Sequence, residues 1–187
     1  MLAYIFWHVP FAEINVLEYE AALLHFQIDL AAAPPEGLDG SASYQISEVP
    51  WLNGRSGYED WCFITSSAVL DTLNVAAVRP ERWNLHAAIS SKTDFGHGGL
   101  YYHLHGVEQP VSGSRVVWLT RPRGIRYEQA LRGIIDGSKG FLSCWRKQMV
   151  LGPSDEFAII GNSSLEVSVP PGWQARAVER RLLEPVL

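Results

Sequence analysis

The spacing of apolar and polar positions changes several times along the chain, and each change marks an element. Residues 2–9 (LAYIFWHV) form a ring-rich apolar run too short for an independent helix, which predicts a strand. From 14 to 31 the apolar positions Ile14, Leu17, Ala21, Leu24 and Ile28 recur at spacings of three and four, which predicts a helix that Pro34 and Pro35 stop. A strand is predicted at about 42–49, followed by the turn-rich NGRSGYED and a strand at about 60–65. Ser66 or Ser67 can cap a helix running to about 77, with a further turn near 81–90. FGHGGLYYHLHG (95–106) reads as a glycine turn at FGHGG leading into a strand at about 99–107.

After EQPVSGS the pattern begins again. YIFWHVP (4–10) is answered by VVWLTRP (116–122), and EYEAALL (18–24) by RYEQALR (126–132). YEDWCFITSS (58–67) is answered by SDEFAIIGNSS (154–164). Three matches in one order point to an internal repeat. The second copy is shorter: PPGW (170–173) stands where its second helix would fall, and QARAVERRLL supplies a last strand. The order βαββαβ is that of a ferredoxin-like unit. Two such units in one chain resemble the α+β barrel superfamily, in which two ferredoxin-like sheets face each other with helices outside. The expected fold class is therefore α+β, a duplicated ferredoxin-like barrel with an abbreviated second unit. Residues 1–110 form the first half and 111–187 the second, within one integrated domain. That superfamily includes haem proteins, cofactor-free monooxygenases, small decarboxylating or isomerising enzymes and members without known activity, so fold alone assigns no function.

Composition narrows the field. With 187 residues, 47% hydrophobic and 19% charged, the chain can bury a substantial core. The net charge of −5 hides an asymmetry, because residues 1–113 carry 4 basic against 13 acidic side chains and residues 114–187 carry 11 against 7. The overall sign disfavours nucleic acid, while the asymmetry could drive association within or between chains. Cys62 and Cys144 each lie in an apolar run, as buried free thiols would. The opening residues lack a basic leader and no run is long enough to span a bilayer, so a cytoplasmic protein without membrane contact is expected.

Candidate chemistry centres on the histidine stretch. On a strand, Tyr101, His103 and His105 share one face, with Leu100, Tyr102 and Leu104 on the other. If this strand pairs with the first, His8 and His97 approach His103 at one end, with Tyr4 and Phe6 alongside. The histidine face is expected to look between the two sheets, into a cavity also lined by Tyr44 and Trp118, with Arg146 and Gln148 opposite. On that reading His8, His103 and Arg146 are catalytic candidates. Tyr4, Phe6, Tyr44, His97, Tyr101, His105, Trp118 and Gln148 are substrate-binding candidates. The corresponding function is small-molecule binding or cofactor-free proton transfer or oxygenation on an aromatic or carbonyl compound.

Two alternatives stand beside it. His103 and His105 form a His-x-His pair that could chelate a transition metal, or the chain is a non-catalytic assembly or regulatory module. No cofactor is expected on the first reading. Haem is not expected either, since two-copy haem proteins of this resemblance take their ligand from the second copy and residues 114–187 contain no histidine. A strand left unpaired at a sheet edge would favour a homodimer. Arg121, Arg123 and Arg126 surround the start of the second copy's helix as a candidate anion site. Glu59 and Asp60 are expected to be solvated, and Arg146 to meet a carboxylate such as Asp60 or Glu59 if no ligand does.

Overall fold

The computed structural model describes residues 1–184, with helix 127–136 described in its backbone but not in the side chains of Tyr127, Gln129 and Ala130. The repeat matches at Tyr127 and Ala130 therefore fall outside the described residues. In chain order the elements are β1 (Leu2–Pro10), α1 (Val16–Ala32), β2 (Leu38–Val49), a 3-10 turn (Pro50–Leu52), β3 (Arg55–Ile64), α2 (Val69–Val78), α3 (Trp83–Ser90), β4 (Thr93–Gly106), β5 (Arg115–Thr120), α4 (Tyr127–Asp136), β6 (Lys139–Lys147), β7 (Phe157–Glu166) and β8 (Gln174–Leu182).

Eight antiparallel strands close into a barrel in the order β1-β3-β2-β8-β5-β7-β6-β4. One side runs β2-β3-β1-β4 and the other β6-β7-β5-β8, so the strands of the two sides follow the same path. The seams differ in length: β2 meets β8 only from Tyr44 to Ile46, whereas β4 meets β6 from Tyr101 to Gly106. Among the described residues, closure leaves no free sheet edge of the kind the dimer expectation invoked. Among the described residues no helix is long and apolar enough to cross a membrane.

Local chemistry explains most boundaries. Asn15 caps α1 by accepting from the N–H groups of Leu17 and Glu18 at 2.9 and 3.2 Å. The expected serine cap of α2 does not form: Ala68 precedes the helix and no side chain caps it. The turn in NGRSGYED is confined to Asn53 and Gly54, both at positive φ, and the strand begins at Arg55. This places Glu59 and Asp60 in mid-strand rather than in a solvated turn. FGHGG is also strand rather than turn. A Cβ at Gly96 would lie 2.5 Å from Phe6 Cζ, and one at Gly98 would lie 2.9 Å from the Tyr4 hydroxyl. The glycines of β4 thus make room for aromatic rings that cross it from β1.

The barrel encloses a core of Ile5, Trp7, Tyr44, Trp61, Phe63, Tyr101, Trp118 and Trp145 with smaller apolar residues. The space expected as a cavity between the sheets is filled with rings. α4 covers Val117, Leu119, Cys144, Phe157 and Ile159 on the outside of the second side. On the first side α1 and α2 cover Leu38, Cys62, Ile64 and Leu100. Arg82, fully buried, ties these helices together: its guanidinium bonds the Asp29 carboxylate and reaches the carbonyls of Ala76, Asp29 and Ala33 at 3.1 Å. A cation is thereby held against the last turns of α1 and α2.

Candidate functional site

β1 is apolar on both faces, and the faces go to different places. Ala3, Ile5, Trp7 and Val9 point into the barrel. Tyr4, Phe6 and His8 therefore point outward, toward α1, and not between the sheets as their candidate role required.

Beneath α1 the His8 imidazole is 1% exposed and lies between the rings of Phe6 and Tyr58, with centroids 5.2 and 5.6 Å away. Both ring nitrogens are engaged. Nδ1 is 2.7 Å from the Tyr19 hydroxyl and Nε2 is 3.1 Å from Asp60 Oδ2. The Tyr19 hydroxyl is in turn 2.7 Å from Thr93 Oγ1. On the other side of Asp60, Ser43 donates to Oδ1 at 2.5 Å, Gln27 Nε2 donates to Ser43 at 2.8 Å, and Ser41 donates to Gln27 Oε1 at 2.5 Å.

A carboxylate only accepts, so Nε2 carries the proton in the neutral ring and Nδ1 accepts from Tyr19. Two hydrogen-bonded chains then end on Asp60, one from Tyr19 through His8, the other from Ser41 through Gln27 and Ser43. Burial pushes the Tyr19 phenol well above its ordinary value and so keeps it a proton donor. The matching layer under α4 is built from apolar residues and contains no such chain among its described residues.

A groove of about 190 Å³ opens beside this chain, bordered by Pro10, Phe11, Ile14, Gln45, Arg55 and Tyr58. Tyr58 is the shared wall, since the ring that lines the groove also stacks on His8. A larger and more open depression of about 670 Å³ lies between Arg126, Ile134 and Val169. Arg126 borders it, but Arg121 is paired with Glu156 at 2.8 Å.

The remaining candidates separate. Tyr44, Tyr101 and Trp118 are inside the barrel. The Tyr44 hydroxyl donates to Val111 O at 2.9 Å, and burial raises its pKa to about 12. His97 pairs with Trp7 in register but is exposed. His103 and His105 part company at a bulge: His103 pairs with Trp145 and turns inward, whereas His105 pairs with Cys144, which faces outward. The shared face needed for chelation is lost, and among the described residues no three His, Cys, Asp or Glu side chains are grouped to hold a metal ion.

Arg146 lies on the outer face, not opposite the histidines. It meets Glu156 at 3.4 Å and donates to the Tyr102 hydroxyl at 2.6 Å, so the expected ion pair forms with a different carboxylate. Gln148 follows β6, half-buried, with its N–H bonded to Leu100 O. Cys62 and Cys144 are buried free thiols, as expected. Sequence reading missed Tyr19 as a partner of His8, Thr93 as a neighbour of Tyr19, and Ser43 and Gln27 as the groups behind Asp60. It also missed the pairing of Glu59 with Arg180 inside the barrel, at 3.2 Å.

Burial holds the His103 imidazole below its ordinary value. The unfolded chain then takes up a proton at a pH where the folded chain does not, so stability falls as the pH drops through about 6.5 toward the folded value. His103→Gln should flatten that part of the profile in urea titrations between about pH 7 and pH 5. An unchanged slope would mean that the ring is solvated.

Neither a family model nor a curated protein sequence matches the chain. Solved structures do match its shape. A proposed monooxygenase from Lactobacillus acidophilus NCFM superposes with a TM-score of 0.52 at 9% identity, covering 97% of this chain and 94% of that one. A proposed chlorite dismutase superposes with a TM-score of 0.51 at 7% identity, covering 98% and 95%. By fold the chain thus stands with the ferredoxin-like α+β barrels.

Proposed function

We propose that the chain binds a small aromatic or carbonyl compound at the Tyr58 groove and transfers a proton on it through Tyr19, His8 and Asp60, without a resident cofactor. The observation that carries this reading is the buried carboxylate–imidazole–phenol chain under α1. Among the described residues, the layer under α4 meets the same topological demand with apolar packing. Packing therefore does not require a polar chain there, and buried polar groups are retained against a desolvation cost.

In this reading the compound stacks in the groove and displaces the Tyr58 ring to reach the chain. The Tyr19 oxygen takes the α-proton of the carbonyl compound as its own proton passes to His8 Nδ1, and Asp60 holds the imidazole in the tautomer that can accept it and balances the imidazolium formed; the reverse transfer returns a proton to the carbon. Of the earlier catalytic candidates His8 is retained, with Tyr4 and Phe6 as neighbouring rings. The shared strand path also supports reading residues 1–110 and 111–187 as two ferredoxin-like halves of one ancestral unit, the second abbreviated.

Deuterium incorporation into ketones, 1,3-dicarbonyls and phenols in D2O, followed by NMR, tests the activity. The protein should accelerate exchange for at least one compound that also raises its melting temperature. Tyr19→Phe should slow that exchange by roughly 100-fold with the circular dichroism unchanged. Equal exchange by Tyr19→Phe and the unaltered protein across the panel would sink the reading.

A further inference from the structure

α1 is apolar on two opposite sides. Tyr19, Leu23 and Leu30 are buried against the barrel. At about 100° of turn per residue, Leu17, Ala21, Leu24 and Ile28 fall within about 60° of one another on the side turned away. Leu17 and Ile28 are exposed by 75 and 52%, Ala21 is exposed and Leu24 is half-buried. A helix with an apolar stripe on each side is built to pack on each side.

The helix in the same place on the other half of the barrel treats its outer side differently. α4 follows β5 as α1 follows β1, and it exposes Glu128, Arg132 and Asp136 at spacings of four. When Tyr19-Glu20 is aligned with Tyr127-Glu128, Leu24 and Ile28 stand where α4 has Arg132 and Asp136. Covering a side of this barrel therefore asks for no apolar residue at those positions.

The spacing and the charges indicate what covers the stripe. Steps of four, three and four are the seam of one helix packed on another. A second copy of α1, running antiparallel about a two-fold axis, completes that seam. With Leu17 against the partner's Ile28, Ala21 falls against the partner's Leu24, and the axis repeats both contacts. A small side chain thus meets a large one at the centre, where the two helices approach most closely.

The flanks agree with this arrangement. Glu18 and His25 border one side of the stripe, Glu20 and Gln27 the other. Like flanks meet in an antiparallel pair, which brings Glu18 beside the partner's His25 and Glu20 beside the partner's Gln27. Each flanking carboxylate already has a cation: Glu18 has Lys92 at 3.8 Å, Glu20 has Arg181 at 2.6 Å, and Asp29, further round the helix, has Arg82. α1 also lacks a basic residue in its last turn. Antiparallel pairing sets the positive end of the partner's helix dipole beside that bare negative end.

We infer that the chain forms a homodimer in which α1 packs antiparallel on the partner's α1 across Leu17, Ala21, Leu24 and Ile28. Sedimentation equilibrium should give the mass of two chains with a Kd of about 10 µM, since one helix pair buries less than a standard interface. Ala21→Glu sets a charge at the centre of the seam on the exposed side of the helix. It should weaken association by about 100-fold or more and leave the circular dichroism of the single chain unchanged. Cross-linking reads the direction of the helices. Leu17→Cys and Ile28→Cys proteins, mixed and oxidised, should give the mixed disulfide in preference to either self-linked product. Cys62 and Cys144 are buried and do not compete. A single chain at about ten times that Kd, as for a stripe reserved for another protein's helix, would overturn the inference. So would an Ala21→Glu protein that associates as tightly as the unaltered one, or self-linked products alone.

Discussion

Glu59→Ala is expected to lower the free energy of unfolding by about 3–5 kcal/mol, the range found when one partner of a buried ion pair is removed. Glu59 and Arg180 are both 1% exposed in their side chains and 3.2 Å apart. Glu59 Oε1 also accepts from Trp61 Nε1, and Oε2 accepts from Trp7 Nε1 at 2.7 Å. Alanine would strand a guanidinium and two indole donors at once. Arg180 would keep the carbonyls of Gly113 and Pro110, at 2.5 and 3.3 Å, and the faces of Tyr44 and Trp61 at 4.0 and 5.5 Å.

For a chain of this size the melting temperature should fall by about 6–20 °C. Glu59→Gln should cost less but not nothing, because its amide N–H₂ turns a donor toward other donors. Combining it with Arg180→Met removes both charges, and the double variant should recover part of the loss. Urea titration of the unaltered protein, Glu59→Gln, Arg180→Met and the double variant measures the coupling. A loss below about 1 kcal/mol for Glu59→Ala would place the pair in contact with water.

That pairing also shows where sequence reading stops. Glu59 and Arg180 are 121 residues apart, and each looks like a surface charge in its own neighbourhood. The elements were legible because periodicity is local: the 14–31 pattern became α1, and the abbreviated second half became β5 to β8 with no helix described between β7 and β8. Which face of a strand turns inward was not legible in β1, because Tyr4, Phe6 and His8 are as aromatic as Ile5, Trp7 and Val9 are apolar. A strand covered on both faces has no polar side to mark the outside. The same ambiguity reversed Arg146 on β6, which lies on the outer face. The histidine stretch misled for another reason, since the bulge between His103 and His105 breaks the period-two rule where the shared face was needed. Tyr19 falls in the predicted helix at 14–31 and Ser43 in the predicted strand at about 42–49. Nothing local pointed them at His8.

Asp60→Asn should cost little in shape and much in proton transfer. Asp60 accepts twice, from Ser43 at Oδ1 and from His8 Nε2 at Oδ2. Asparagine has one acceptor oxygen and one amide nitrogen, so it cannot accept from both. Gln27 already donates to Ser43, which favours keeping the oxygen on that side and turning the N–H₂ toward His8. Nε2 must then accept, the ring proton moves to Nδ1, and Nδ1–H donates to Tyr19. The Tyr19 hydroxyl turns its proton to Thr93, reversing the direction of the chain. The 15N shifts of His8 should exchange their protonated and unprotonated signatures between the two ring nitrogens, a change that loss of packing alone would not produce. Exchange activity at the groove should fall by roughly 10³–10⁴-fold, as when a catalytic imidazole is held in the wrong tautomer. Stability should fall by about 1–3 kcal/mol. If the tautomer flips and exchange is undiminished, the chain beneath α1 serves the fold and not a reaction.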